Sequence, residues 1–341
     1  MDVLITVQHP AHVHFFKHAI EELEELGHEV HVRALDKDVA LALLDGYDID
    51  YEVVGSRGGS LASTAVSTLA IEYRLYRHAR AINPDVMTAI GGIAAAHVAK
   101  LVDANSVIFT DTEHATLSNR LAFPFADEIA TPECYMDDAG PDQYRYPSYH
   151  ELAYLHPDRF EPDPSVFDEL PVDPDDTYAV LRLVSWGAAH DVGDEGLADL
   201  TELVERLEET GAEVLVSAEG DALPPGLDGY GIDIDPNRIH HVLAYADLFV
   251  GESGTMASES AVLGTPSVYV HSANPGLMRD LSAYDLLFGY HGERRNERAA
   301  SRAVDVLESP EIDWERRRRK LLEQKVDATD VVVDRVLAAA E

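Results

Sequence analysis

The apolar and polar positions divide the chain into short buried runs separated by helical patterns. Residues 3–7 form an apolar run of strand length, interrupted only by Thr6. Val13, Phe16, Ile20 and Leu23 then recur at helical spacing, and Gly27 ends the helix. Residues 30–34 read as the next strand. Strand, helix and strand in this order predict a parallel sheet. The alternation continues with helices over 61–82 and 93–102, and strands over 85–90, 107–109 and 128–130. Residues 55–60 are a glycine-rich loop. Residues 131–176 are rich in Pro, Asp and Tyr, which argues against long regular structure and places a domain junction there. A second array follows, with strands over 178–184, 214–217, 248–250 and 267–270 and helices over 197–207, 237–246 and 257–263. The tail is helical in pattern. The expectation is an α/β protein of two Rossmann-like domains facing a cleft, the default place for a ligand.

Charge alters this picture at the surface. The chain carries 63 Asp and Glu against 26 Lys and Arg, net −37 over 341 residues. The acids are spread along the whole chain rather than held in one tail, which favours a solvated, halophile-like surface over an acidic partner-binding one. Such a chain repels a nucleic-acid duplex or an anionic membrane at low salt, so no nucleic-acid partner is expected. Cys134 is the single cysteine, which excludes a disulfide framework. The N-terminus opens on a strand pattern rather than a leader, and no run approaches a membrane span of about 20 apolar residues. A soluble cytoplasmic protein is expected.

The candidate chemistry sits in the turns after the strands. Gly251, Glu252, Ser253, Gly254 and Thr255 form a tight turn that opens the helix over 257–263, stopped by Gly264 and Pro266. Such a turn aims backbone N–H groups and the positive end of a helix dipole at one point, which suits a phosphate. Glu259 offers a carboxylate to a sugar diol. The glycines alone would also serve as plain tight turns. Arg182 interrupts an apolar strand and needs a partner, either an acid or a phosphate. The loop after it carries Ser185 and His190.

The first loop lacks the G-x-G-x-x-G fingerprint and carries His9, His12 and His14 instead. It lies at the C-terminal end of a strand, where open α/β sheets bind ligands. His12, at the loop-to-helix junction, is the preferred general base. Asp111, Glu113 and His114 follow a later strand and suit either catalysis or a helix cap. Their D-x-E-H spacing also allows a metal site, but a lone cluster of this kind is weak evidence for one, and no metal or cofactor is expected. Arg316 to Lys320 is the one basic run, read as a solvated helix face.

Several stretches together resemble the family called domain of unknown function 354. They are H-P-A-H-V-H-F-F-K from His9, D-T-E-H-A from Asp111, N-R-L-A-F-P-F-A-D from Asn119, H-E-L-A-Y-L from His150, R-L-V-S-W from Arg182 and G-E-S-G-T-M from Gly251. Ser253, Gly254, Glu259, Gly264 and Pro266 are also similar, in order, to the nucleotide-sugar site of GT-B glycosyltransferases and UDP-N-acetylglucosamine 2-epimerases. The resemblance implies a GT-B fold: an acceptor domain over 1–160, a donor domain over 161–320, and a C-terminal helix over 321–341 crossing back to the first. It implies a glycosyltransferase using a nucleotide-diphosphate sugar, first a UDP-sugar, and a glycan or lipid-linked acceptor. Ser253, Gly254 and Thr255, with Arg182, Ser185 and His190, would hold the diphosphate, and Glu259 the ribose. His12, or Asp111 with His114, would deprotonate the acceptor, and Glu113 would stand for the first epimerase glutamate. Leu117 and Ser118 replace the paired glutamates of the epimerases, against 2-epimerase chemistry. The alternatives are a nucleotide-sugar 2-epimerase or hydrolase, and a non-catalytic binding protein on the same frame.

Overall fold

The computed structural model describes residues 1–37, 39–56, 61–184, 197, 200–218, 223–271 and 274–341. Two compact units emerge, one of residues 1–159 with 325–341, the other of residues 160–324.

The first unit is a seven-stranded parallel sheet. Its strands are β1 (Asp2–Val7), β2 (Glu29–Asp36), β3 (Tyr51–Ser56), β4 (Val86–Ile90), β5 (Asn105–Phe109), β6 (Glu128–Pro132) and β7 (Gln143–Tyr146), in the order β3-β2-β1-β4-β5-β6-β7. Central strands such as β1 are almost wholly buried and read as apolar runs, as strands covered on both faces must. Only Val54 is buried on the edge strand β3, which is why no continuous apolar run marks it. The four-residue β7 is similarly inconspicuous within the proline-rich stretch.

Helices α1 (Pro10–Glu25), α2 (Ala40–Gly46), α6 (Leu152–Leu155) and α13 (Ala328–Ala339) pack together, α13 lying over β4 and β5. Helices α3 (Leu61–Ile82), α4 (Ile93–Val102) and α5 (Thr116–Ala122) pack side by side as a separate group. The order reverses between β1 and β4, and right-handed crossovers then put the two groups on opposite faces. Arg159 holds the C-terminal segment, meeting Glu22 of α1, Asp327 and Asp330. Arg335 on α13 makes a bidentate pair with Glu128, both bonds at 2.8 Å.

The second unit is a five-stranded parallel sheet. It comprises β8 (Tyr178–Leu183), β9 (Glu213–Ala218), β10 (Leu248–Gly251), β11 (Ser267–Val270) and β12 (Leu287–Tyr290), in the order β12-β11-β10-β8-β9. Helices α7 (Leu200–Glu208), α8 (Ile239–Tyr245), α9 (Gly254–Leu263), α10 (Gly276–Ala283), α11 (Arg295–Leu307) and α12 (Trp314–Leu322) complete it. Its core joins Leu181, Val250 and Val268 of the sheet to Leu203, Leu207 and Ala303 of α7 and α11. The order reverses between β8 and β10, so the C-terminal ends of these two strands flank the second unit's switch point.

Candidate functional site

The turn after β10 sits at that switch point. Ser253 is the N-cap of α9 in an extended conformation, and its Oγ accepts the Met256 N–H at 3.4 Å. The first-turn amides of Gly254 and Thr255 have no intrahelical carbonyl to bind, as at any helix start. Thr255 is exposed, so this end of α9 faces solvent. Gly251 is required by close packing: a Cβ there would lie 3.0 Å from both the Cβ and the carbonyl oxygen of Arg182. At the other end Gly264 takes φ +97°, a left-handed cap that admits glycine without strain.

Arg182 lies in register with Gly251 and donates from Nη1 to Ser217 Oγ at 2.7 Å. A neighbouring hydroxyl therefore takes one of the donors that the sequence assigns to an acid or a phosphate. Glu252 is buried, and its carboxylate accepts the Leu197 N–H. Ser185 and His190 lie outside the described residues.

Glu259 departs from the sequence expectation of an open carboxylate. It is 4% exposed, and its Oε1 lies 3.0 Å from Nε2 of the equally buried His240 on α8. A buried carboxylate needs such a donor. No spacing rule connects His240 with Glu259, so the pair was not legible in the sequence.

In the first unit, β1, β4 and β5 are neighbours, so the loops after them line one edge of the sheet. Asp111, partly exposed, follows β5. Its Oδ1 accepts the Thr112 hydroxyl at 2.8 Å, and its Oδ2 lies 3.4 Å from Nδ1 of His150. Burial pushes the His150 pKa down, with Asp111 opposing the shift. A neutral His150 with its proton on Nδ1 would hold Asp111 in one orientation. Asn119 braces the same loop by donating to Thr112 O at 3.1 Å and to Tyr135 OH at 3.2 Å. Burial, with Asp137, Glu113 and Asp111 nearby, pushes the Tyr135 phenol up to about 12, so it stays a neutral hydrogen-bonding group.

The other candidates differ in setting. Glu113 is buried, and its Oε1 accepts the Met136 N–H at 3.1 Å, which ties two loops together. His114 is exposed. His9 caps α1 by accepting the Ala11 N–H at 3.2 Å. Nδ1 of His12 accepts the Gln8 N–H at 3.4 Å. That bond favours the tautomer with the proton on Nε2, a donor rather than a base at that nitrogen. His14 is buried, 3.0 Å from Tyr47 OH and stacked on Tyr154. His150, which stands in the sequence only as the start of the H-E-L-A-Y-L stretch, faces the Asp111 carboxylate across 3.4 Å.

Asp111, Glu113 and His114 do not gather as metal ligands. Among the described residues, the grouping with ligand atoms within 4.8 Å of one another is Asp2, Glu29 and His31. These stand at the N-terminal ends of β1 and β2, away from the edge that carries Asp111.

Two parallel-sheet α/β units, of seven and five strands, give the chain the GT-B fold of the solved structures it matches. The chain belongs to the family described as "Protein of unknown function (DUF354)", which matches residues 1–341. It is 24% identical over 279 residues to the "Uncharacterized protein MJ0665" of Methanocaldococcus jannaschii, covering 79% of this chain and 81% of that protein. Among solved structures it is similar to the UDP-GlcNAc 2-epimerase of Methanocaldococcus jannaschii in complex with UDP-GlcNAc and UDP. The TM-score is 0.70 at 13% identity, over 99% of each chain. It is also similar to the spinosyn forosaminyltransferase SpnP, with a TM-score of 0.68 at 15% identity over the whole of both chains.

Proposed function

We propose that the protein is a glycosyltransferase that takes a sugar from a nucleoside-diphosphate sugar, a UDP-sugar first, and places it on an acceptor hydroxyl. The observation that carries this reading is the position of the α9 N-terminus, capped by Ser253, at the switch point of the second sheet. The Gly254 and Thr255 amides and the helix dipole there suit a diphosphate and would stabilise it as the leaving group. Arg182, Ser185 and His190 would complete the donor pocket. Glu259 would meet the pentose only at its small exposed edge, held in place by His240, so the amides rather than this acid are the anchor.

Asp111 would take the acceptor proton, with Thr112 and His150 fixing its carboxylate. His12 would then donate a hydrogen bond to the acceptor rather than remove its proton, and His114 and Glu113 would shape the same loop. A base held this way contributes roughly 10²–10⁴-fold to such a step. The absence of acids at Leu117 and Ser118 favours transfer over 2-epimerisation. The discriminating experiment incubates the protein with a panel of nucleotide-sugars, with and without glycan and lipid-linked acceptors, and follows nucleoside-diphosphate release. Release that requires an acceptor supports transfer. Turnover of donor alone would replace this reading with an epimerase or hydrolase.

A further inference from the structure

The two helical layers of the first unit differ sharply in charge. On one face, α1 and α13 carry Glu21, Glu22, Glu24, Glu25, Asp330 and Asp334. On the other, α3, α4 and α5 hold a single acid, Glu72, against Arg74, Arg77, Arg80, Lys100 and Arg120. The chain as a whole has 63 acids in 341 residues, so this layer is a local inversion of its surface. Glu72 is itself occupied by His97 Nδ1 at 3.1 Å, and Lys100 by Asp127. Arg77 and Arg120 are exposed and meet no carboxylate among the described residues.

The same layer exposes large apolar side chains. Leu69 is 67% exposed, Tyr73 62% and Leu117 71%, with Leu121 and Phe125 also open. Their helices are neighbours, α4 packing against α3 on one side and α5 on the other. His97 of α4 bonds Glu72 of α3, approaches the Leu121 carbonyl at 3.0 Å and packs edge-on against Phe125 at 4.5 Å. His97 thus ties Glu72 of α3, the backbone of α5 and the Phe125 ring to the one helix that lies between them. Contiguous apolar patches on soluble chains mark contact surfaces.

We infer that the outer face of α3, α4 and α5 docks on an anionic lipid bilayer. Leucine and aromatic side chains would enter the boundary between headgroups and acyl chains, and Arg77, Arg80 and Arg120 would meet the headgroups. A symmetric contact with a second copy would bring two faces of the same sign together, which the arginines disfavour. The repulsion expected from the net charge acts over the Debye length, about 10 Å at 0.1 M salt. At closer range the local face governs. The docking face serves the protein whatever reaction it performs.

The test is sedimentation of the full chain with vesicles of phosphatidylglycerol and phosphatidylcholine in equal parts, against phosphatidylcholine alone, at 0.1 M salt. The wild type is expected to pellet preferentially with the anionic vesicles. Leu69→Ser with Tyr73→Ser should remove pelleting at an unchanged melting temperature, since both side chains are exposed. Arg77→Glu with Arg120→Glu should remove the preference for anionic lipid, each arginine accounting for roughly fivefold in partitioning. Equal pelleting of wild type and both variants would overturn the inference. So would no pelleting of the wild type, or a dimer in solution that Leu69→Ser with Tyr73→Ser converts to monomer.

Discussion

A carboxylate works as a base only when its environment holds it still, and Asp111 has that support from Thr112 Oγ1 and the buried His150. Asp111→Asn is expected to lower acceptor-dependent transfer by roughly 10²–10⁴-fold. The shift in melting temperature caused by nucleotide should be unchanged, because this residue lies in the other unit from the α9 amides. A second residue sets a pH limit on stability. Burial, with Lys17 and Arg159 nearby, lowers the His18 pKa to about 4 from 6.5. Between those values the unfolded chain binds the proton and the folded chain does not. Its stabilising contribution is therefore full above pH 6.5 and lost as pH falls toward 4, on the order of 2 kcal/mol. Urea unfolding at pH 7 and pH 4.5 should give a smaller pH dependence for His18→Gln than for wild type.

Elements depend on pairs that no single segment contains. The His240–Glu259 contact joins α8 to α9, so Glu259→Ala should cost about 3 kcal/mol by stranding a buried partner, and Glu259→Gln less. Urea midpoints distinguish the two. Arg159 gathers Glu22, Asp327 and Asp330, and Arg159→Ala should release α13 at a cost of roughly 2 kcal/mol, visible as faster amide exchange in that helix. What the sequence made legible follows the same division. Runs such as residues 3–7 and 248–250 are buried on both faces and announce central strands. The α9 turn announces itself through local chemistry, since capping and left-handed termination need particular residues. Edge strands β3 and β7 bury little and leave no apolar run. His150 and His240 gain their roles from distant partners, Asp111 and Glu259, which spacing along the chain cannot reveal. Glu259 itself was legible as a polar residue at a helix start, but not as one turned toward α8.

The whole molecule carries a net charge of −37, which opposes compaction when unscreened. Its melting temperature should therefore rise as the Debye length falls from about 30 Å at 0.01 M salt to about 3 Å at 1 M. A flat salt profile would contradict a self-repelling surface. At this scale the proposed activity depends on the amides opening α9 holding the diphosphate of an activated sugar. Gly254→Pro tests it most directly. Proline suits the first helical position after an extended cap, and here it deletes one of the two amide donors while preserving the helix. The measurement is a titration of melting temperature with UDP, and with uridine as the control, for wild type and Gly254→Pro at 1 M salt. Wild type should show a saturable rise with UDP, corresponding to about 2.7 kcal/mol at a hundredfold excess over Kd, and little response to uridine, while Gly254→Pro should need a markedly higher UDP concentration for the same rise. An unresponsive wild type, or a variant that responds to UDP as the wild type does, would contradict it.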